Sequence, residues 1–326
     1  MIISRAPLRI SFFGGGTDYP QHFLKHGGTV LATGIDKYVY VTASPFLSDL
    51  FDYSIRVSYR KVELARVRDE IEHNVVRECL KLCGLAKDIE LHTMADLPAF
   101  TGLGSSSSFT VALLQALHSF RGKFLTPKQL AAEAIHVERH ILRDHVGCQD
   151  QVLAAFGGFN LVEFRTEKDF EVQRVPVSTS RRTELEGRLL MVFTGIKRKA
   201  ADVVAKQLTR VEDNAATLEA MREMAYEGFR ILTGRKSLDA FGELLHHAWQ
   251  AKRSLDGGIS SGEIDEIYET GRKAGALGGK LLGAGGGGFM LFYAPPKALP
   301  KLRRAFRDRR VLQIKLSAPG SQVIFS

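Results

Sequence analysis

Three glycine-rich stretches carry most of the chemistry this sequence can support: Gly14-Gly15-Gly16, Gly102-Leu103-Gly104 followed by Ser105 to Ser108, and Gly283 to Gly288. Glycine lets the backbone approach an oxyanion closely and turn several N–H groups toward it. Three such loops in one chain point to a polyphosphate ligand. After the serines comes FTVALLQALHSF, apolar all round and rich in helix formers, so a buried helix should begin within the serine run. The free N–H groups and dipole of such a start favour an anion. Capping alone is the plainer explanation of the serines, but one suffices for that, and four in a row exceed the need.

Rival motifs fail on their own terms. A Walker A loop needs Ser or Thr after Gly-Lys, yet Gly279-Lys280 is followed by Leu281 and no glycine stands at position 274. Gly283 to Gly288 satisfies G-x-G-x-x-G, but a dinucleotide loop opens a helix, whereas Phe289 to Ala294 reads as a strand. His136 and His140 are four apart, but Glu138 is not adjacent to the first as a zincin requires. GLGSSSS lacks the closing glycine of a nucleophile elbow.

The elements that must hold these loops follow from periodicity. Ile2 to Phe13 and Lys37 to Ser44 read as strands, a helix is expected over 69–82, and Ile89 to Thr93 is a strand leading into the serine loop. Thr126-Pro127 supplies an N-cap and first-turn proline for a helix whose Leu130, Ala134, Val137 and Ile141 share one face. Leu189 to Gly195 is a strand ending in a loop, and long helices fill roughly 200–275. The expected division falls between 1–180 and 181–326, with weak periodicity around 170–190.

At 326 residues and 44% hydrophobic content the chain can bury real cores. It has no apolar run near the roughly 18 residues needed to span a bilayer and no signal-peptide pattern, so a cytoplasmic protein is expected. Cys79, Cys83 and Cys148 read as reduced, buried thiols. The net charge of +9 suits anionic small molecules, nucleic acid or membranes without choosing among them. In the basic run Lys301 to Arg310, Leu302 and Phe306 are four apart and no aromatic platform is present. A solvated helix face is therefore expected rather than a nucleic-acid or membrane surface. Nothing in the sequence bears on oligomeric state.

Taken in order, RAPLRISFFGGGTDYP (Arg5 to Pro20), PAFTGLGSSSS (Pro98 to Ser108), VGCQDQ (Val146 to Gln151) and KLLGAGGGGF (Lys280 to Phe289) resemble the signatures of the galactokinase, homoserine kinase, mevalonate kinase and phosphomevalonate kinase (GHMP) superfamily. The triple glycine, the SSSS run and GCQDQVLAAFGGFN are most like those of the D-glycero-D-manno-heptose 7-phosphate kinases. The resemblance implies an α/β domain like ribosomal protein S5 domain 2 joined to a ferredoxin-like α+β domain, with the site in the cleft between. It also implies phosphoryl transfer from ATP, with Mg²⁺, to the anomeric hydroxyl of a heptose 7-phosphate for surface polysaccharide synthesis. Another sugar 1-kinase of the fucose or galactose type, and a non-catalytic ATP or sugar sensor, stay open as alternatives.

By the same resemblance, Gly102, Gly104 and the amides of Ser105, Ser106 and Ser107 would cradle the phosphates, with Gly285 and Gly286 closing over them. Ser106 and Glu138 would hold Mg²⁺, although local sequence alone favours reading Glu138 as a surface glutamate paired with Arg143. Asp150 would face the attacking hydroxyl as base or positioner, with Arg9 beside it. Gly16, Thr17 and Asp18 would contact the sugar, and Arg198, between Lys197 and Lys199, its phosphate. Two departures stand out. Phe100 occupies the place of a usual glycine, and Gly15-Gly16 replace the Glu-His pair of galactokinases, leaving room for a larger sugar.

Overall fold

The computed structural model describes residues 1–196, 204 and 208–326. Two sheets carry the fold. The first contains β1 (Ile2–Phe13), β2 (Gly28–Pro45), β3 (Ile55–Ser58), β4 (Val62–Ala65), β5 (Ile89–Ala95), β6 (Phe159–Phe164), β7 (Phe170–Arg174) and β12 (Gln322–Phe325). Its main path is β12-β1-β2-β5-β3-β4. β2 is long enough to serve two partners on one side, pairing through Val39–Pro45 with β5 and through Gly28–Thr33 with β6. The second sheet, β11-β8-β10-β9, is antiparallel and built from β8 (Leu189–Phe193), β9 (Gly278–Leu281), β10 (Phe289–Tyr293) and β11 (Val311–Leu312).

Helices α2 (Asn74–Leu82), α3 (Ser105–Phe120), α4 (Pro127–Ile135) and α5 (Gln149–Phe156) cover one face of the first sheet, where Val41, Val57, Leu91, Val111 and Leu114 share a core. A second core joins the two sheets through Leu8, Ile10, Phe12, Met191, Phe241 and Leu291. In β8 and β10 alternate residues serve different cores: Met191 and Leu291 face this one, while Leu190, Val192, Met290 and Phe292 face a third with Trp249 and Tyr268. A strand covered on both sides must be apolar throughout, which explains LLMVF and FMLFY. Helices α7 (Ala215–Thr233), α8 (Asp239–Ser254) and α9 (Gly262–Lys273) supply the cover, together with α10 (Leu299–Ala305).

β1 carries the feature that aims the site. Its register against β2 shifts between Pro7 and Arg9, a bulge. Before it, Ala6 belongs to the helical core; after it, Leu8, Ile10 and Phe12 belong to the core between the sheets. A bulge reverses which face alternate residues point to. Arg9 and Ser11 thereby reach the cleft, and the Arg9 amide donates to Leu103 O at 3.0 Å.

Some elements differ from the periodic reading. The helix expected over 69–82 begins at Asn74, because the Glu63 carboxylate accepts from the amides of Glu72 (2.5 Å) and His73 (3.2 Å) and holds that stretch out of helical geometry. The strand expected from Lys37 starts at Gly28. In the basic run Leu302 and Phe306 are buried while Arg303, Arg304 and Arg307 are exposed. Among the described residues no helix is long and apolar enough to cross a membrane.

Candidate functional site

A cleft of about 310 Å³ opens where the glycine loops meet. α3 begins within the serine run, at Ser105, and its N-cap is Gly104, in the left-handed region at φ +75°. No side chain caps it. The capping explanation of the four serines therefore fails. Ser105 and Ser106 line the cleft, Ser107 Oγ donates to Glu138 Oε2 at 2.8 Å, and Ser108 Oγ donates to Pro7 O at 2.8 Å. A side chain at Gly104 would crowd Asp150 Oδ2 and Arg9 Cγ, so the helix start sits against that pair. At Gly102 a Cβ would fall 2.3 Å from Leu282 O, which is how closely the serine loop and the Gly283 loop pack.

Arg9 and Asp150 form a two-pronged ion pair: Nε donates to Oδ1 and Nη2 to Oδ2, both at 2.7 Å. The remaining Nη1 donates to Gly102 O at 2.7 Å. Every arm of the guanidinium is thus committed, which fixes the carboxylate's orientation. The Asp150 side chain is 23% exposed and faces the cleft.

Asp18 lines the same cleft and is almost fully buried. Its Oδ1 accepts from the Gly16 amide at 3.0 Å and its Oδ2 from the Gln149 amide at 3.3 Å. Burial pushes its carboxyl above the ordinary range, and the nearby Asp150 charge adds to this against those amides. Thr17 does not reach the cleft. Its hydroxyl lies 2.8 Å from Gly14 O and 3.0 Å from Thr29 O, and it accepts from the Thr29 amide, so its capacity is spent on the turn. Its expected sugar contact is corrected to a scaffold role.

Glu138 is 2% exposed, not a surface glutamate, and among the described residues it pairs with no arginine. It lies in a π-helical turn, His136–Ile141, and its Oε2 accepts from Ser107 Oγ and from Gln151 Nε2 at 2.5 Å. Its Oε1 is buried with no hydrogen-bond partner among the described residues. Burial pushes its carboxyl up to about 7, against hydrogen bonds that favour the charged form. A carboxylate oxygen left open beside the Ser107 hydroxyl is a hard oxygen donor of the kind Mg²⁺ takes, with phosphate and water completing its shell.

The Gly283 loop reaches the cleft through Gly283 and Ala284. Gly285 packs on Ile259 and the Gly286 amide donates to Ile259 O at 2.9 Å, so the two glycines expected at the phosphates are held against Ile259 rather than lining the cleft. Gly15 and Gly16 both line the cleft; a Cβ on Gly15 would meet Ser11 Oγ at 3.3 Å and one on Gly16 would meet Leu218 at 3.3 Å. Arg198 and its neighbours Lys197 and Lys199 lie outside the described residues.

Two lysines in the cleft wall, Lys252 and Lys280, escaped the sequence reading. Lys252 carried a signal: on α8 it follows Leu245 and Ala248 at the spacing of the apolar stripe.

Phe100 lines the cleft at φ +64° with 52% of its surface exposed. The left-handed region costs a side-chain-bearing residue about 1–2 kcal/mol, and strain kept at a site mouth points to use there. Phe100→Gly should raise unfolding stability by about 1 kcal/mol in a urea titration while weakening nucleotide affinity. Unchanged affinity would leave the ring without a role in binding.

Family models match in two places: the GHMP kinases N terminal domain over residues 53–158 and the GHMP kinases C terminal region over residues 217–311. The D-glycero-alpha-D-manno-heptose 7-phosphate kinase of Campylobacter jejuni is 29% identical over 322 residues, covering 95% of this chain and 94% of that one. The L-fucokinase/L-fucose-1-P guanylyltransferase of Bacteroides fragilis is 26% identical, covering 99% of this chain and 38% of that protein. A solved D-glycero-D-manno-heptose 1-phosphate kinase from Bacteroides thetaiotaomicron superposes with a TM-score of 0.80 at 24% identity over 100% of both chains, and so shares the fold.

Proposed function

The chain belongs to the GHMP kinases, and from that premise we propose that it transfers the γ-phosphoryl group of ATP to the anomeric hydroxyl of D-glycero-D-manno-heptose 7-phosphate, giving the 1,7-bisphosphate. Membership makes it a phosphotransferase with an alcohol acceptor. The observation that carries the reading is the Arg9–Asp150 pair, held against the start of α3. A carboxylate facing an anion-binding helix start is what in-line transfer to a hydroxyl needs.

In this reading the α3 amides of Ser105 to Ser107 and the backbone at Gly102 and Gly104 hold the phosphates. Asp150 orients the hydroxyl and takes its proton, while Arg9 holds the carboxylate in place through both oxygens. Ser106 and Glu138 would hold Mg²⁺, which supplies charge neutralisation for the transferring phosphoryl. Asp18 accepts from sugar hydroxyls, with Gly15 bordering the same cleft. The fixed Arg9 fork means that little rearrangement is required once both substrates are bound.

The acceptor is supported by the Campylobacter jejuni relative, which aligns over nearly its whole length. ADP release with Mg²⁺ and ATP, measured over heptose 7-phosphate, mannose, galactose, fucose, mevalonate and homoserine, tests it. Turnover of the heptose phosphate alone, with a new anomeric phosphate in the product, is the expected outcome. A different preferred acceptor keeps the kinase and discards the heptose; silence across the panel favours a sensor.

A further inference from the structure

Two buried lysines sit behind the Arg9–Asp150 pair with no carboxylate in ion-pair contact among the described residues. Lys252, 6% exposed, reaches the cleft from the end of α8, and its ammonium donates to Gly283 O. Lys280 on β9 is also buried and donates to Ser11 O and Phe12 O, each at 2.9 Å, tying the second sheet to β1. An ammonium has three donors. Among the described residues Lys252 makes one of these bonds to protein, and the residue lines the cleft. Burying a cation this way is costly unless an anion joins it.

The neighbours say which anion. Gly283 packs directly on Gly102, whose carbonyl receives Arg9 Nη1, and Arg9 in turn grips Asp150. The ammonium therefore stands at the centre of the chemistry. A phosphate already carried by the acceptor would lie at the far end of the sugar when the anomeric hydroxyl faces Asp150. We propose that Lys252 is a further catalytic residue, its ammonium binding the γ-phosphoryl group of ATP during transfer, with Lys280 tying β9 to β1 beside it. This rests on the kinase reading above but not on the identity of the acceptor.

In that step the bond from acceptor oxygen to phosphorus forms as the bond to the bridging oxygen breaks. The bridging oxygen leaves with ADP, the hydroxyl proton passes to Asp150, and Lys252 keeps its own proton throughout. Burial lowers the Lys252 ammonium to about 8, with Arg9 adding to the shift and Asp18 and Asp150 opposing it. A bound phosphoryl group would oppose it further and hold the ammonium charged.

The test compares nucleotides that differ only in the third phosphate. Lys252→Met should weaken the Mg²⁺ complex of the non-hydrolysable ATP analogue AMP-PNP about tenfold or more in calorimetry, charge-assisted contacts being the strong ones, and leave Mg²⁺·ADP nearly unchanged. Retained ADP binding also reports a folded cleft. With whichever acceptor the wild type uses, kcat should fall roughly 10²–10³-fold at unchanged acceptor KM, and Lys252→Arg should recover part of it. Equal losses for both nucleotides, no loss for either, or a loss confined to acceptor KM would overturn the proposal. The nucleotide comparison needs no acceptor, so a wrong heptose assignment, which the acceptor panel detects, leaves it standing.

Discussion

Asp150→Asn should reduce kcat by about 10³-fold while the dissociation constant for Mg²⁺·ATP moves by no more than about threefold. The substitution preserves shape, and the amide oxygen can still accept from one arm of Arg9. What disappears is the negative charge and the site for the hydroxyl's proton. Both matter only when the acceptor reacts, so the loss belongs to the transition state rather than to nucleotide binding. Arg9 is simultaneously left as a buried cation with half its partner, since both oxygens now accept from it at 2.7 Å. A modest fall in stability should accompany the kinetic loss. Steady-state kinetics and calorimetry on the same preparation check the split, and undiminished turnover would remove Asp150 from the mechanism.

Glu138→Gln should move activity and stability in opposite directions. With its carboxyl raised to about 7 in the folded protein, this residue binds a proton more readily folded than unfolded. Its contribution to stability is therefore complete below about pH 4.5, the unfolded value, and is lost as pH rises through 7. Glutamine retains an acceptor for Ser107 and Gln151 without the buried charge. The apo variant should match the wild type near pH 4 and exceed it by on the order of 3 kcal/mol at pH 8. Activity should fall on the order of a hundredfold, with a raised Mg²⁺ requirement. Urea melts at the two pH values and a Mg²⁺ titration of turnover read the two effects separately. Equal stability at pH 8 would mean the carboxylate is not strained by burial, and unaltered Mg²⁺ dependence would remove it from the metal site.

The glycine loops and the serine run were legible because their chemistry is local. Gly104 caps α3 through its own left-handed backbone, and Thr126 caps α4 in a reciprocal box with Gln129, each readable within a few residues. β1 was legible from end to end because Ala6, Leu8, Ile10 and Phe12 alternate as apolar, buried positions along it. Glu138 was not, since a helical period of 3.6 places it at the edge of its helix, whereas the wide π turn at His136–Ile141 rotates it inward onto Ser107. Lys252 and Lys280 were hidden for another reason. Their neighbours, Gly283 for one and Ser11 and Phe12 for the other, belong to separate elements that only the packing of the two sheets brings together. Thr17 and Gly286 illustrate the converse, residues of suitable type whose polar groups the scaffold consumes.

β12 gives the first sheet its edge beside β1, with Ile3 opposite Phe325. A ribosome making this chain delivers the strand bearing Arg9 long before that strand's outer neighbour. Throughout synthesis β1 emerges with an unpaired edge, the feature that invites wrong pairings between chains. Severing the polypeptide between the sheets would leave the same edge bare for good. Production of a separate front half should consequently favour aggregation, and supplying the missing back half in trans is the condition under which it should recover.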